Sequence, residues 1–92
     1  MKKDITVAEI KAMLATLDEK TAAADRAERL YSRDPMDATA ESAFDRAYAE
    51  QWRVYMDLCK AVSEFAGLTL RDARNVVNER EQLRRILSRS AE

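Results

Sequence analysis

The chain has one glycine and one proline among 92 residues, so few positions force a helix to stop. Pro35 follows Asp34, Gly67 precedes Leu68, and the long segments between these joints contain no helix breaker. Proline favours the first turn of a helix, and glycine favours the residue after its last turn. The sequence therefore predicts an all-α fold in a single domain spanning residues 1–92, with helices over about 7–33, 35–66 and 70–89 and a frayed C-terminal tail.

Histidine is absent, and cysteine occurs once, as Cys59. The absence of histidine removes the commonest general base and the commonest transition-metal ligand. A single cysteine forms no internal disulfide and no multi-cysteine metal site. A nucleophilic thiol would need a nearby base, whereas the apolar neighbours of Cys59 in the helical pattern favour a buried structural thiol. No cofactor, metal or small-molecule substrate is expected.

Aromatic residues are scarce, and no apolar run approaches the roughly 20 residues that span a bilayer. The N-terminal lysines are not followed by the apolar stretch of a signal peptide. A cytoplasmic location without a membrane partner is therefore expected. Charged residues reach 36% of the chain at a net charge of −1, a balance that argues against a dedicated nucleic-acid binder.

The first helix is predicted to begin at a capping box, Thr6 to Glu9, in which the Thr6 hydroxyl accepts a hydrogen bond from the Glu9 amide. The second is predicted to begin at Asp34 as the cap, with Asp37 or Thr39 as later alternatives. Gly67 is predicted to end it in the left-handed conformation. Thr69 should then cap the third helix, whose apolar face is interrupted at Arg80.

The second helix carries a seven-residue apolar repeat, typical of helices that pack at shallow angles. Its members are Phe44, Tyr48, Gln51, Tyr55, Leu58, Val62 and Phe65. We expect a three-helix up-down-up bundle with a long antiparallel hairpin of helices 1 and 2, which helix 3 covers only in part. The polar member, Gln51, fits either a register-setting position in a dimer or a position near the uncovered end of the hairpin.

Residues 60–77, KAVSEFAGLTLRDARNVV, resemble the helical hairpin in the C-terminal domain of the bacterial ribosomal stalk protein. In that family the hairpin packs on a small sheet and contacts translation factors. The resemblance covers about a fifth of the chain, and the flanking residues contain no strand-like segment. It therefore implies a helix–Gly–Leu–helix corner without the rest of that fold, and it assigns no functional residue.

Two groups of side chains are candidate binding surfaces. Tyr48, Trp52, Tyr55 and Met56 are candidate anchors for a partner helix, although their place in the apolar pattern favours core packing against helix 3.

The second group lies on helix 3, where Arg74, Asn78, Arg85 and Arg89 are candidate contacts to phosphate or to an acidic partner. The alternative is that these arginines pair with helix 2 acids and that Glu81 pairs with Arg85.

Carboxylates also occur in pairs at or near helical spacing, which is one way to hold a metal or share a proton. They fall mainly off the apolar stripes, where solvated faces are expected, and include Asp18, Glu19, Asp25, Glu28, Glu41 and Asp45.

The sequence thus predicts a non-enzymatic interaction module that binds another protein or pairs with itself as a homodimer. An adaptor or inhibitor of the kind encoded by bacteria, phages or mobile elements fits this size and composition. The alternative function is a nucleic-acid-associated regulator that uses the arginine face of helix 3. A small enzyme would need an enclosed polar pocket, for which a thin alanine-rich bundle has little room.

Overall fold

The computed structural model describes residues 4–90, with only the backbone described at residue 90. Within these residues the chain is all-α and contains no strand. Its helices are α1 (Val7–Arg33), α2 (Ala38–Ala66), α3 (Leu70–Asn78) and α4 (Arg80–Ser90). The predicted all-α class is confirmed. Of the tail that was expected to fray, residues 88–90 belong to α4, and residues 91–92 lie outside the described residues.

The beginning of α2 is set by two aspartates that compete as caps. The amide of Asp37 donates to the Asp34 carbonyl over 3.0 Å, which closes a turn with Pro35 at its second position, where proline is favoured. The Asp37 Oδ1 accepts hydrogen bonds from the amides of Thr39 (2.9 Å) and Ala40 (3.3 Å). The predicted start at Asp34 is therefore wrong, and the later alternative at Asp37 is correct.

Two other predicted helix ends are confirmed. The Thr6 Oγ1 accepts from the Glu9 amide over 3.1 Å at the start of α1. Gly67 has a φ of 67°, the left-handed conformation that glycine adopts without steric cost. The Leu68 amide then donates to the Ser63 carbonyl over 3.0 Å, which ties the chain back onto the last turn of α2. Thr69 caps α3 as predicted, since its side chain accepts from the amide of residue 72.

The predicted single helix over 70–89 is wrong, because the chain breaks at Glu79 between α3 and α4. Val77 and Leu83, which lie on either side of this break, are both buried. The Arg80 guanidinium donates to the Val77 carbonyl, which satisfies one of the unpaired carbonyls at the end of α3.

The described residues form two compact units, to which α1 and α2 both contribute. The middle unit is Ala15–Tyr55, and the terminal unit comprises residues 4–14 and 56–90. The middle unit buries two side chains, Leu17 and Ala24, whereas the terminal unit buries eleven: Ile10, Leu14, Leu58, Cys59, Ala61, Val62, Ala73, Val76, Val77, Leu83 and Leu87. Stabilisation by apolar burial is therefore concentrated in the terminal unit. The boundaries of a single domain stay a prediction.

Within the middle unit, side chains of α1 contact side chains of α2. Lys20 Nζ lies 3.1 Å from Glu50 Oε2, and Gln51 Nε2 donates to Thr21 Oγ1 over 3.1 Å. Further along α1, Tyr31 stacks on Phe44, with ring centroids 5.8 Å apart. Later residues of α1 thus contact earlier residues of α2, so the two segments run in opposite directions. The Gln51 amide is engaged within the chain.

None of the described helices combines the length and the apolar composition needed to cross a membrane.

The uneven burial predicts uneven mutational costs. Leu58 has 0% relative exposure, so Leu58→Ala should lower the free energy of unfolding by about 2–5 kcal/mol. Leu30→Ala, the same change at a side chain 58% exposed, should cost less than about 0.5 kcal/mol. Urea denaturation followed by circular dichroism measures both. Equal losses for the two variants would contradict this distribution of the core.

Candidate partner-binding surface

The middle unit carries most of the large apolar side chains that face solvent. These are Leu30, Met36, Tyr48 and Trp52, and the terminal unit adds Leu70 among the described residues. The unit with the smaller buried core therefore has the larger exposed apolar surface. Of these four residues, only Tyr48 and Trp52 are close enough in sequence to share one face of a helix.

Tyr48 and Trp52 lie one turn apart on α2, so they share a face of that helix. Tyr48 is 56% exposed and Trp52 is 50% exposed. The Trp52 indole tilts against Tyr55, with ring centroids 5.5 Å apart, and Tyr48 lies 6.1 Å from Phe44. Each exposed ring is thus held on one side by a half-buried ring. An aromatic side chain supported in this way loses little conformational freedom when a partner covers it.

Exposure changes steadily along this face of α2. Tyr48, Trp52, Tyr55, Cys59 and Val62 follow one another at steps of four and three residues. The first two are half exposed, Tyr55 is half-buried, and the last two are fully buried. The spacing of four and three residues is the same in the exposed and in the buried part of this row. Of the four candidate anchors, Tyr48 and Trp52 therefore present the most surface, and the half-buried Met56 belongs to the terminal unit.

Helix geometry identifies the residues that lie on the same side of the middle unit as Tyr48 and Trp52. Lys20 pairs with Glu50 on one side of the two helices. Since each residue turns the helix by 100°, the positions roughly opposite this pair form what we call the open face. Its charged and aromatic members are Asp18, Asp25, Arg29 and Arg33 on α1 and Glu41, Asp45, Tyr48 and Trp52 on α2. Its charged members are all exposed.

Asp25 and Arg29 also line an open depression of about 550 Å³ beside the end of α1, together with Glu28, Ser32 and Arg33.

Sequence reasoning did not single out Leu30 and Met36 as exposed apolar residues. In α1, Tyr31 faces Phe44 of α2, and Leu30 lies about 100° away from Tyr31 around the helix. This position off the packed side is the feature of the sequence that could have predicted its exposure. Met36 is 91% exposed because it occupies the turn between α1 and α2.

The candidate phosphate contacts lie on α3 and α4 in the terminal unit, and Arg74, Asn78, Arg85 and Arg89 are all exposed. Glu81 pairs with Arg84 over 3.7 Å, so the pairing expected with Arg85 is wrong. Arg84 and Arg85 both lie about one turn after Glu81, and in the structure the ion pair forms with the arginine three residues away. Residues 70–90 contain six arginines but only three acids, which gives this segment a local basic excess.

The paired carboxylates and Cys59 are the side chains that could in principle serve in catalysis or metal binding. The six paired carboxylates noted in the sequence are all exposed. Among the described residues, no group of three or more histidine, cysteine, aspartate or glutamate side chains is placed to hold a metal ion. Cys59 is fully buried, as its place in the apolar pattern predicted, so its thiol lies out of reach of a solvent-borne substrate.

Comparisons with protein-family models, curated proteins and solved structures found no match. The local resemblance of residues 60–77 to the ribosomal stalk hairpin stays confined to a helix corner. The residues on either side of it, in α2 and α4, are helical rather than extended.

Trp52→Ala tests whether the indole belongs to the core. Because half of this side chain faces solvent, the substitution should lower the free energy of unfolding by about 1–2 kcal/mol, below the about 3–5 kcal/mol typical of a buried tryptophan. Urea denaturation under the conditions used for Leu58→Ala gives the comparison. A loss as large as that of Leu58→Ala would make Trp52 a core residue.

The burial of Cys59 predicts a protected thiol. Ellman's reagent should react with it in urea but not at a measurable rate under native conditions, except through unfolding. Following absorbance at both conditions gives the two rates. Rapid native labelling would mean that the helices around Cys59 open without unfolding.

Proposed function

We propose that this chain is a small non-enzymatic protein-protein interaction module of adaptor or inhibitor type that acts in the cytoplasm. Its open face would bind another protein or a second copy of the chain. The observation that carries the proposal is the pair Tyr48 and Trp52, half exposed and held in place in a unit that buries only two side chains. An up-down-up arrangement with a long hairpin, partly covered by the C-terminal helices, belongs to the same proposal.

The energetics of helix-face recognition support this assignment. Tryptophan and tyrosine are enriched among the few residues that dominate binding energy at interfaces. Partner helices lie along such a face and place apolar side chains at three- and four-residue spacing. Tyr48 and Trp52 offer that spacing on α2. The neighbouring half-buried rings would restrict their motion before binding.

A second candidate is a nucleic-acid-associated regulator acting through α3 and α4. Arg74, Arg85 and Arg89 are exposed, and none forms an ion pair with a described residue, which leaves their guanidinium groups available to phosphate. The acids at residues 72, 79 and 81 lie among them and weaken the local field. The overall net charge of −1 also lowers non-specific attraction to a polyanion.

One double variant and one triple variant separate these two functions. Tyr48→Ala/Trp52→Ala should abolish retention of a protein partner from cell extract, because it removes both anchors. Arg74→Glu/Arg85→Glu/Arg89→Glu should leave that retention within about twofold of wild type, since these arginines lie outside the contact. Light scattering on each variant reports whether the partner is a second copy. Loss of retention in the arginine variant alone would contradict the proposal.

The nucleic-acid alternative predicts the opposite result with a labelled DNA duplex: the triple arginine variant should lose binding, and Tyr48→Ala/Trp52→Ala should keep it. If three arginines contact phosphate, the logarithm of affinity should fall with the logarithm of salt concentration with a slope of about −2.7. Fluorescence anisotropy at several salt concentrations measures this slope. Circular dichroism confirms that each variant is folded before either assay is interpreted.

A further inference from the structure

We infer that the open face is a docking site for a basic amphipathic helix of a partner protein. This inference rests on the proposed function and specifies the chemistry of the partner. The face combines four acids, Asp18, Asp25, Glu41 and Asp45, with two bases, Arg29 and Arg33, and with the two exposed rings of α2. A matching surface has an apolar stripe that covers the rings and cationic side chains on both sides of that stripe.

The acids flank the rings in a way that fits this partner. Asp45 and Glu41 lie on the same helix as Tyr48, three and seven residues before it, so they continue its face towards the start of α2. Asp18 and Asp25 border the face on α1. The stretch from Glu41 to Trp52 is about 16 Å long at 1.5 Å per residue, which matches roughly three turns of a partner helix.

The same charges argue against a second copy as the occupant. Two identical open faces packed together would bring eight acids and four arginines into one interface, and like charges across an interface cost several kcal/mol. A lysine- or arginine-bearing helix reverses the sign of that interaction. Its cations also gain from proximity to the faces of the Trp52 and Tyr48 rings. Charge complementarity therefore selects a basic helix over self-association.

The probe is a dye-labelled 14-residue synthetic helix with leucine at the two apolar heptad positions and lysine elsewhere. An otherwise identical peptide carries glutamate in place of lysine. Fluorescence anisotropy should show saturable one-to-one binding of the lysine peptide and at least tenfold weaker binding of the glutamate peptide. Affinity for the lysine peptide should fall as salt rises from 50 to 500 mM, since screening acts on exposed charge pairs.

Two variants of equal net charge locate the site. Asp25→Asn/Glu41→Gln/Asp45→Asn removes three acids of the open face and should weaken binding of the lysine peptide about tenfold. Glu19→Gln/Asp57→Asn/Glu64→Gln removes three exposed acids elsewhere and should change it by less than about twofold. Tyr48→Ala/Trp52→Ala should also lose at least tenfold. Thermal melts establish that all three variants are folded.

The outcomes distinguish this inference from the proposed function. Equal weakening by the two charge variants, equal binding of both peptides, or no binding of the lysine peptide would overturn the basic helix as occupant. A wild-type dimer that Tyr48→Ala/Trp52→Ala dissociates would overturn it in favour of a second copy, while supporting the proposed function. If Tyr48→Ala/Trp52→Ala changes neither peptide binding nor partner retention nor mass, the inference and the proposed function both fail.

Discussion

The structure depends on one densely buried group of aliphatic side chains in the terminal unit. Leu58 and Val62 on α2, Val77 on α3 and Leu83 on α4 are nearly or fully excluded from solvent. A chain of 92 residues buries a limited fraction of its surface, and here that burial is spent mostly in one unit. The middle unit buries only two side chains among the described residues, and its contacts include the Lys20–Glu50 ion pair, the Gln51–Thr21 hydrogen bond and the stacked Tyr31 and Phe44 rings. Four of the five large apolar side chains that are exposed among the described residues lie in this unit.

Local chemistry made much of the fold predictable. A hydroxyl at Thr6 and a glycine at residue 67 have few alternative roles in a helix-rich chain, and both mark the helix ends that the structure shows. The start of α2 was less certain because Asp34 and Asp37 are both competent caps. The turn through Pro35 uses the first aspartate and leaves the second to cap the helix. Which of the two aspartates caps α2 depends on the difference in energy between these two local arrangements, which the sequence pattern does not give.

The break at Glu79 and the exposure of Trp52 were harder to obtain from sequence, for a shared reason. Neither glycine nor proline marks residue 79, where the structure separates α3 from α4. Likewise, the seven-residue pattern of α2 is the same where it is covered and where it is not. Periodicity identifies the face of a helix that is apolar. It does not say how far along the helix a neighbour reaches, because that depends on contacts between distant segments.

The terminal unit is assembled from two stretches of chain, residues 4–14 and 56–90, separated by the whole of the middle unit. Bringing them together closes a loop of about 40 residues, an entropic cost that must be met before their contacts form. During synthesis from the N-terminus, Ile10 and Leu14 emerge long before Leu83 and Leu87, with which they share a core. The core of the terminal unit therefore stays incomplete on the nascent chain until α4 has left the ribosome.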